Sequence, residues 1–131
     1  MKMSKELERH GAAYDLTSSE KVLMRPGRIY GIRTGVRVEL ESDQVGLVCT
    51  RSGLAKQGLM VVNAPGIVDP EYRGEVQVIL TYLGSDSYQI NVGDRIAQLL
   101  IVNYEERDFT VDANIDLDTK RGEAGFGSTG V

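Results

Sequence analysis

Five stretches of this chain combine residue types that could do chemistry. In NAPGIVDPEYRGE, residues 63–75, a proline and a glycine shape a loop that presents one amide, Asn63, one carboxylate, Asp69, and one phenol, Tyr72, just after an apolar stretch ending at Val62. A carboxylate held beside a ligand can take a proton from water and make it a nucleophile, provided it sits within hydrogen-bond reach. Asp69 is the candidate for that work, and Glu71 reads as a solvated neighbour. A turn between antiparallel strands would explain Pro65-Gly66 by shape alone, but not the grouping of Asn63, Asp69 and Tyr72.

The other four stretches are weaker when taken singly. TRSGLA, residues 50–55, puts Arg51, Ser52 and Gly53 where a short helix would begin; free N–H groups at such a start attract phosphate, and a capped turn is the plainer reading. GDRIAQLL, residues 93–100, carries Gln98 as an uncharged polar side chain within an apolar strand. A buried glutamine must find partners, either across a subunit interface or on a ligand. Asp94 and Arg95 beside it read as a structural ion pair. GAAYDLTSS, residues 11–19, sets Asp15 just before an expected strand, where aspartate is ordinary in a turn. The ending RGEAGFGSTGV places Arg121, Phe126, Gly127, Ser128 and Thr129 in a glycine-rich setting. That composition predicts a flexible terminus, yet the arginine, the hydroxyls and one aromatic also suit a phosphate cradle with no helix behind it.

The elements that must position these residues are strands. Val36, Val38 and Leu40 alternate with Arg37 and Glu39; Val45, Leu47 and Cys49 keep the same period, as do Val76, Val78 and Leu80. Turn formers recur at intervals too short for long helices. The expected fold is therefore all-β, a barrel or sandwich. One helix of one or two turns is expected over residues 52–57, with Ser52 able to cap it and Gly58 placed to stop it. The nearly continuous apolar run IAQLLIV, residues 96–102, predicts a strand buried on both faces, inside the barrel or between subunits. Phe109, Val111 and Ile115 permit one more strand in the acidic stretch before the tail begins near Thr119.

Composition narrows the function classes. At 131 residues the chain has the size of one domain. A net charge of -4 with 26% charged residues lacks the basic footprint of a protein that grips nucleic acid through its phosphates. One cysteine excludes an internal disulfide, and one histidine leaves too few ligands for a His/Cys metal centre. No apolar run reaches the roughly 20 residues of a membrane span, and MKMSKELERH lacks the apolar core of a signal peptide. A soluble, intracellular protein is expected.

Taken in order, AAYDL, RSGLA, NAPGIVDPEYRGE, GDRIAQ and RGEAGFGSTG resemble the five ordered motifs of the trimeric deoxyuridine triphosphatases, the dUTPases, over nearly the whole chain. Ala13 stands where the first motif often has glycine, and Thr50 where proline often precedes the arginine. The resemblance implies a jelly-roll-like distorted β-barrel over residues 1–118 and a flexible arm over 119–131, assembled as a homotrimer with active sites shared between subunits. It implies hydrolysis of dUTP to dUMP and pyrophosphate, which keeps uracil out of DNA and supplies the precursor of thymidylate. By the same resemblance Asp69 activates the water that attacks the α-phosphorus, and Tyr72 packs under the deoxyribose and excludes a ribose hydroxyl. Asn63 and the backbone of Gly66, Ile67, Val68 and Gln77 read the uracil edge. Arg51, Ser52 and Gly53 hold phosphates, with Gln98 reaching them from another subunit. Mg²⁺ is held mainly by triphosphate oxygens and water, with Asp15 acting through a water. Arg121 meets the γ-phosphate, Phe126 stacks on uracil, and Gly127, Ser128 and Thr129 donate to phosphate as the arm closes.

Uracil presents acceptor, donor and acceptor in turn, and cytosine places a donor at the corner where uracil accepts, leaving a buried group unpaired. Two rival readings stand beside this one. dCTP deaminases share the fold and an RSxLA-like segment, but lack the full glycine-rich ending in the family pattern. Some viral dUTPases also engage other proteins, usually through an inserted segment; the longest candidate here, LGSDSYQ, is short, so such a role would be accessory.

Overall fold

The computed structural model describes residues 1–127. Its strands follow the alternating stretches: β1 (Lys2–Met3), β2 (Arg9–His10), β3 (Ala13–Thr17), β4 (Val22–Met24), β5 (Ile29–Arg33), β6 (Val38–Glu39), β7 (Gln44–Cys49), then one helix, α1 (Ser52–Ala55), followed by β8 (Leu59–Val61), β9 (Gly66–Val68), β10 (Gln77–Tyr82), β11 (Tyr88–Ile90) and β12 (Arg95–Asn103). The expected mostly-β fold is what the chain forms. Four separate sheets carry it, ordered β2-β3-β12-β7-β9, β5-β10-β8, β11-β4 and β1-β6, and none of them closes on itself among the described residues.

β12 is the centre of the largest sheet, but the expected burial on both faces is not reached within one chain, since Gln98, Leu100, Ile101 and Val102 are only half-buried. It pairs antiparallel with β3 and with β7, and Ile96, Ala97 and Leu99 are buried. A register shift between Arg95 and Ala97 sets a row across three strands in which Gln98 stands opposite Asp15 on one side and Cys49 on the other. The core gathers Leu16, Ile32, Val36, Val38, Val61, Val78, Leu80 and Leu99, all at most 2% exposed, from all the larger sheets.

Several expectations are corrected. Strand β7 exists, but its buried residues are Gly46 and Val48, whereas Val45, Leu47 and Cys49 are half-buried; Gly46 lies against Val68 and Leu99 with little room to spare. Asp15 does not precede β3 but lies inside it. β8 and β9 are not a hairpin: β8 pairs with β10 and β9 with β7, so the Asn63–Pro65 turn carries the chain from one sheet to another. Helix α1 is a single turn. Its N-cap is Arg51 and makes no side-chain cap, so Ser52 is not the capping residue, while Gly58 ends the segment with φ +89°, a conformation that other residues adopt only at a cost. No strand forms around Phe109, Val111 and Ile115, which are 87%, 88% and 75% exposed and pair with no strand among the described residues. No helix among the described residues is long and apolar enough to cross a membrane.

Candidate active site

The sheet-to-sheet crossing builds a cavity of about 320 Å³. Its walls include Asn63, Gly66, Ile67, Val68, Asp69, Tyr72 and Gln77, which are all the residues that the third motif and the start of β10 contributed to the sequence reading. β9 is the last strand of its sheet, so one row of its main-chain groups has no strand partner. Gln77 pairs with Arg33 of β5 on one side; on the other, β8 pairs with β10 from Leu80 onward and the Val62 N–H donates to the Ile79 carbonyl at 2.8 Å, so only the start of β10 at Gln77 is left without a strand partner there. Two stretches of main chain thus have unpaired edges beside the same hollow, which is what recognition by backbone groups requires. Asp69 and Asn63 are exposed at its mouth. The Asp69 carbonyl accepts from the Tyr72 N–H at 3.1 Å, closing the tight turn that sends the Tyr72 side chain back over the loop.

Val48, Glu75, Val76 and Ile79 also line this cavity, and sequence reasoning missed them. The Glu75 carboxylate accepts from the Gly35 N–H at 2.6 Å and from Arg33 Nε at 3.1 Å. The Gly35 hydrogen bond, assisted by Arg33, holds the Glu75 carboxyl below its ordinary value of 4.5. Glu75 precedes the Val76, Val78, Leu80 alternation directly, and a charge at the entry of a buried strand was the signal available.

A second grouping surrounds Asp15, whose side chain is only 8% exposed. Arg51 Nε lies 3.6 Å from its Oδ1, and Arg95 Nη1 and His10 Nε2 lie 3.7 Å and 3.1 Å from its Oδ2. Arg95 therefore pairs with Asp15 and not with Asp94, whose carboxylate instead accepts from the Asn91 N–H. Oδ2 is buried and, despite its neighbours, has no hydrogen-bond partner. Arg51 also donates to the Arg95 carbonyl at 3.4 Å. Gln98 finds its partner within the chain, donating to the Thr50 carbonyl at 3.1 Å, which ties β12 to the residue before Arg51. Ser52 and Gly53 are exposed at the start of α1; a helix of one turn carries little macrodipole, so attraction for anions here comes chiefly from the Arg51 and Arg95 guanidiniums. His10 was missed by sequence reasoning; the β2–β3 pairing, with His10 opposite Ala13, brings it beside Asp15.

The two groupings are distinct within one chain, since Asp15, Arg51, Ser52, Gly53 and Gln98 do not line the Asp69 cavity. In the arm, Arg121 Nε donates to the Ala124 carbonyl at 2.6 Å, and Phe126, with φ 49°, is fully exposed. Gly127 has φ 85°. Ser128 and Thr129 lie outside the described residues.

The family model described as dUTPase matches residues 1–130. The chain belongs to the dUTPase family. Among curated relatives, the deoxyuridine 5'-triphosphate nucleotidohydrolase of Zymomonas mobilis is 43% identical over 92% of this chain and 82% of its own length. The enzyme of the same name from Corynebacterium efficiens is 45% identical over 98% of this chain and 71% of its own. Of solved structures, the Staphylococcus bacteriophage 80alpha dUTPase with dUPNHPP superposes with TM-score 0.84 at 30% identity, over 97% of this chain and 92% of that one. A mutant dUTPase from phage phi11 of S. aureus, described as coordinating a structural Mg(II) ion, superposes with TM-score 0.77 at 25% identity, over 86% of this chain and 92% of that one. The relatives' shared name favours the hydrolase over the deaminase reading of this dUTPase-family chain.

Proposed function

We propose that this chain hydrolyses dUTP to dUMP and pyrophosphate, acting as a homotrimer in which each site combines the Asp69 cavity of one subunit with the Asp15–Arg51 grouping of a neighbour. The observation that carries the reading is the gathering of Asn63, Gly66, Ile67, Val68, Asp69, Tyr72 and Gln77 around one hollow. Its volume lies at the lower end of the range typical of small-molecule sites. The unpaired edges of β9 and β10 would meet the uracil edge, with Asn63 beside them, and the Tyr72 ring would pack under the sugar.

Asp69 is the general base. It takes a proton from the water whose oxygen bonds to the α-phosphorus, as the bond from that phosphorus to the pyrophosphate oxygen breaks. Arg51, Ser52 and Gly53 oppose the negative charge of the phosphates, with Gln98 alongside. Residues 119–131 act as an arm that closes over the nucleotide: Arg121 meets the γ-phosphate, Phe126 stacks on the base, and Gly127, Ser128 and Thr129 supply donors. Most of the rate gain comes from positioning and electrostatics.

The residues around Asp15 fit a hydrated Mg²⁺ ion. The buried Asp15 Oδ2 has His10 and Arg95 as neighbours but no hydrogen-bond partner, so it is open to accept from a water held by a metal, and the two guanidiniums nearby suit the triphosphate that carries the ion. Asp15 would hold Mg²⁺ through such a water, and the ion when bound neutralises triphosphate charge.

Pyrophosphate release from dUTP with magnesium, compared with dCTP, dTTP and UTP, tests the reading. Rapid release from dUTP alone is expected. Ammonia from dCTP would point to the deaminase, and no release from dUTP would overturn the proposal.

A further inference from the structure

We propose that Gly74, which bears no side chain, is a positioning residue for nucleotide choice, because the space where its side chain would stand is filled by the Tyr72 ring. The proposal rests on the reading of Tyr72 as the residue that tells deoxyribose from ribose. A Cβ built on Gly74 would lie 2.4 Å from Tyr72 Oη, 2.5 Å from Cζ and 2.8 Å from Cε1. Carbon atoms in good contact sit about 3.5–4.0 Å apart, so the ring and such a methyl group cannot share this place. Tyr72 Oη meanwhile donates to the Glu75 carbonyl at 2.8 Å. The side chain is therefore folded back across Gly74 and latched one residue beyond it.

The backbone gives no second reason for glycine here. Gly74 does not have a positive φ, so φ does not demand glycine, and the three atoms nearest to a Cβ at this position all belong to the Tyr72 side chain. Tyr72 is itself 46% exposed, so a displaced ring can swing outward without opening the core. A methyl at Gly74 thus moves the ring that lines the cavity and breaks its latch, and leaves the sheets in place. Gly84 offers an internal comparison: a Cβ there would lie 2.0 Å from Tyr82 Oη, but neither Gly84 nor Tyr82 lines the Asp69 cavity.

The test measures kcat/KM for dUTP and for UTP, with magnesium, in the full chain and in Gly74→Ala, Tyr72→Ala, the double variant and Gly84→Ala, with a thermal melt of each. Gly74→Ala is expected to lower the dUTP/UTP preference about tenfold or more, as Tyr72→Ala does. The double variant should match Tyr72→Ala, since without the ring the methyl has nothing to displace. Gly84→Ala should keep the preference whatever its melting temperature. If Gly74→Ala keeps the wild-type preference while Tyr72→Ala loses it, the role of Gly74 is refuted and the site reading stands. If Tyr72→Ala keeps the preference, the ribose reading falls and the specificity role of Gly74 with it. Should Gly74→Ala not fold, the double variant decides: recovery of a cooperative melt supports the clash with the ring, and continued loss of folding refutes it.

Discussion

Tyr72 Oη donates to the main-chain carbonyl of Glu75 at 2.8 Å, while the Glu75 carboxylate is bound on its other side by Gly35 and Arg33. One residue thus joins the loop beside the cavity to the end of β5. Because the folded state holds the Glu75 carboxyl below 4.5, the unfolded chain binds its proton more readily. Glu75 therefore contributes stability that is complete above that value and is lost as pH falls through the lowered one. Glu75→Gln should melt at a lower temperature than the parent near neutral pH, and the two melting temperatures should converge on acidification. A constant difference down to about pH 3 would contradict the assignment.

Asp69→Asn keeps the shape of the loop and removes the base. Turnover of dUTP is expected to fall by roughly 10²–10⁴, with dUTP still bound as measured by calorimetry. Near-normal pyrophosphate release by this variant would remove Asp69 from the role.

Arg51→Ala removes one of the two guanidiniums beside Asp15. The loss of a charged contact to phosphate corresponds to a fall in kcat/KM of about ten- to a hundredfold. Asp15 retains Arg95 and His10 as neighbours, so the melting temperature should change little. Arg51→Lys should recover only part of the activity, since an ammonium lacks the planar fork. Full activity in either variant would place the phosphates elsewhere.

Removal of the residues after Thr119 should leave the melt unchanged, because Arg121 and Phe126 are exposed and the last strand ends at Asn103, while dUTP hydrolysis becomes poor. Phe126→Ala should slow turnover with no loss of stability. A truncated chain with full activity would show that the arm has no part in the reaction.

Sedimentation should give a particle of three chains. Phe109, Val111, Ile115 and Leu117 stand 58–88% exposed in the single chain, and in the proposed trimer they would be covered by a neighbouring subunit. Val111→Asp should shift the distribution toward smaller species, and a wild-type chain that stays monomeric at assay concentration would dismiss the shared site.

The sequence by itself determined the kind of structure and most of the residues around the cavity. Alternation at Val36, Val38 and Leu40 and at Val76, Val78 and Leu80 matches their burial, and the apolar run at residues 96–102 became the central strand. Both follow from local physics, because period and continuity of apolar residues are properties of a segment alone. The tertiary structure decided what depends on partners distant in the chain. Alternation in β7 could not say that Gly46 and Val48, and not Val45 and Leu47, face inward, since the choice rests on which side Val68 and Leu99 occupy. Nor could the proline-glycine turn announce that β8 and β9 join different sheets, which is what opens the cavity. His10 beside Asp15 and Glu75 beneath Tyr72 came from strand pairing and loop folding. The missing strand at Phe109 and Val111 marks the same limit: a pattern fit for a sheet forms none, and stays exposed, unless some other strand is there to pair with it.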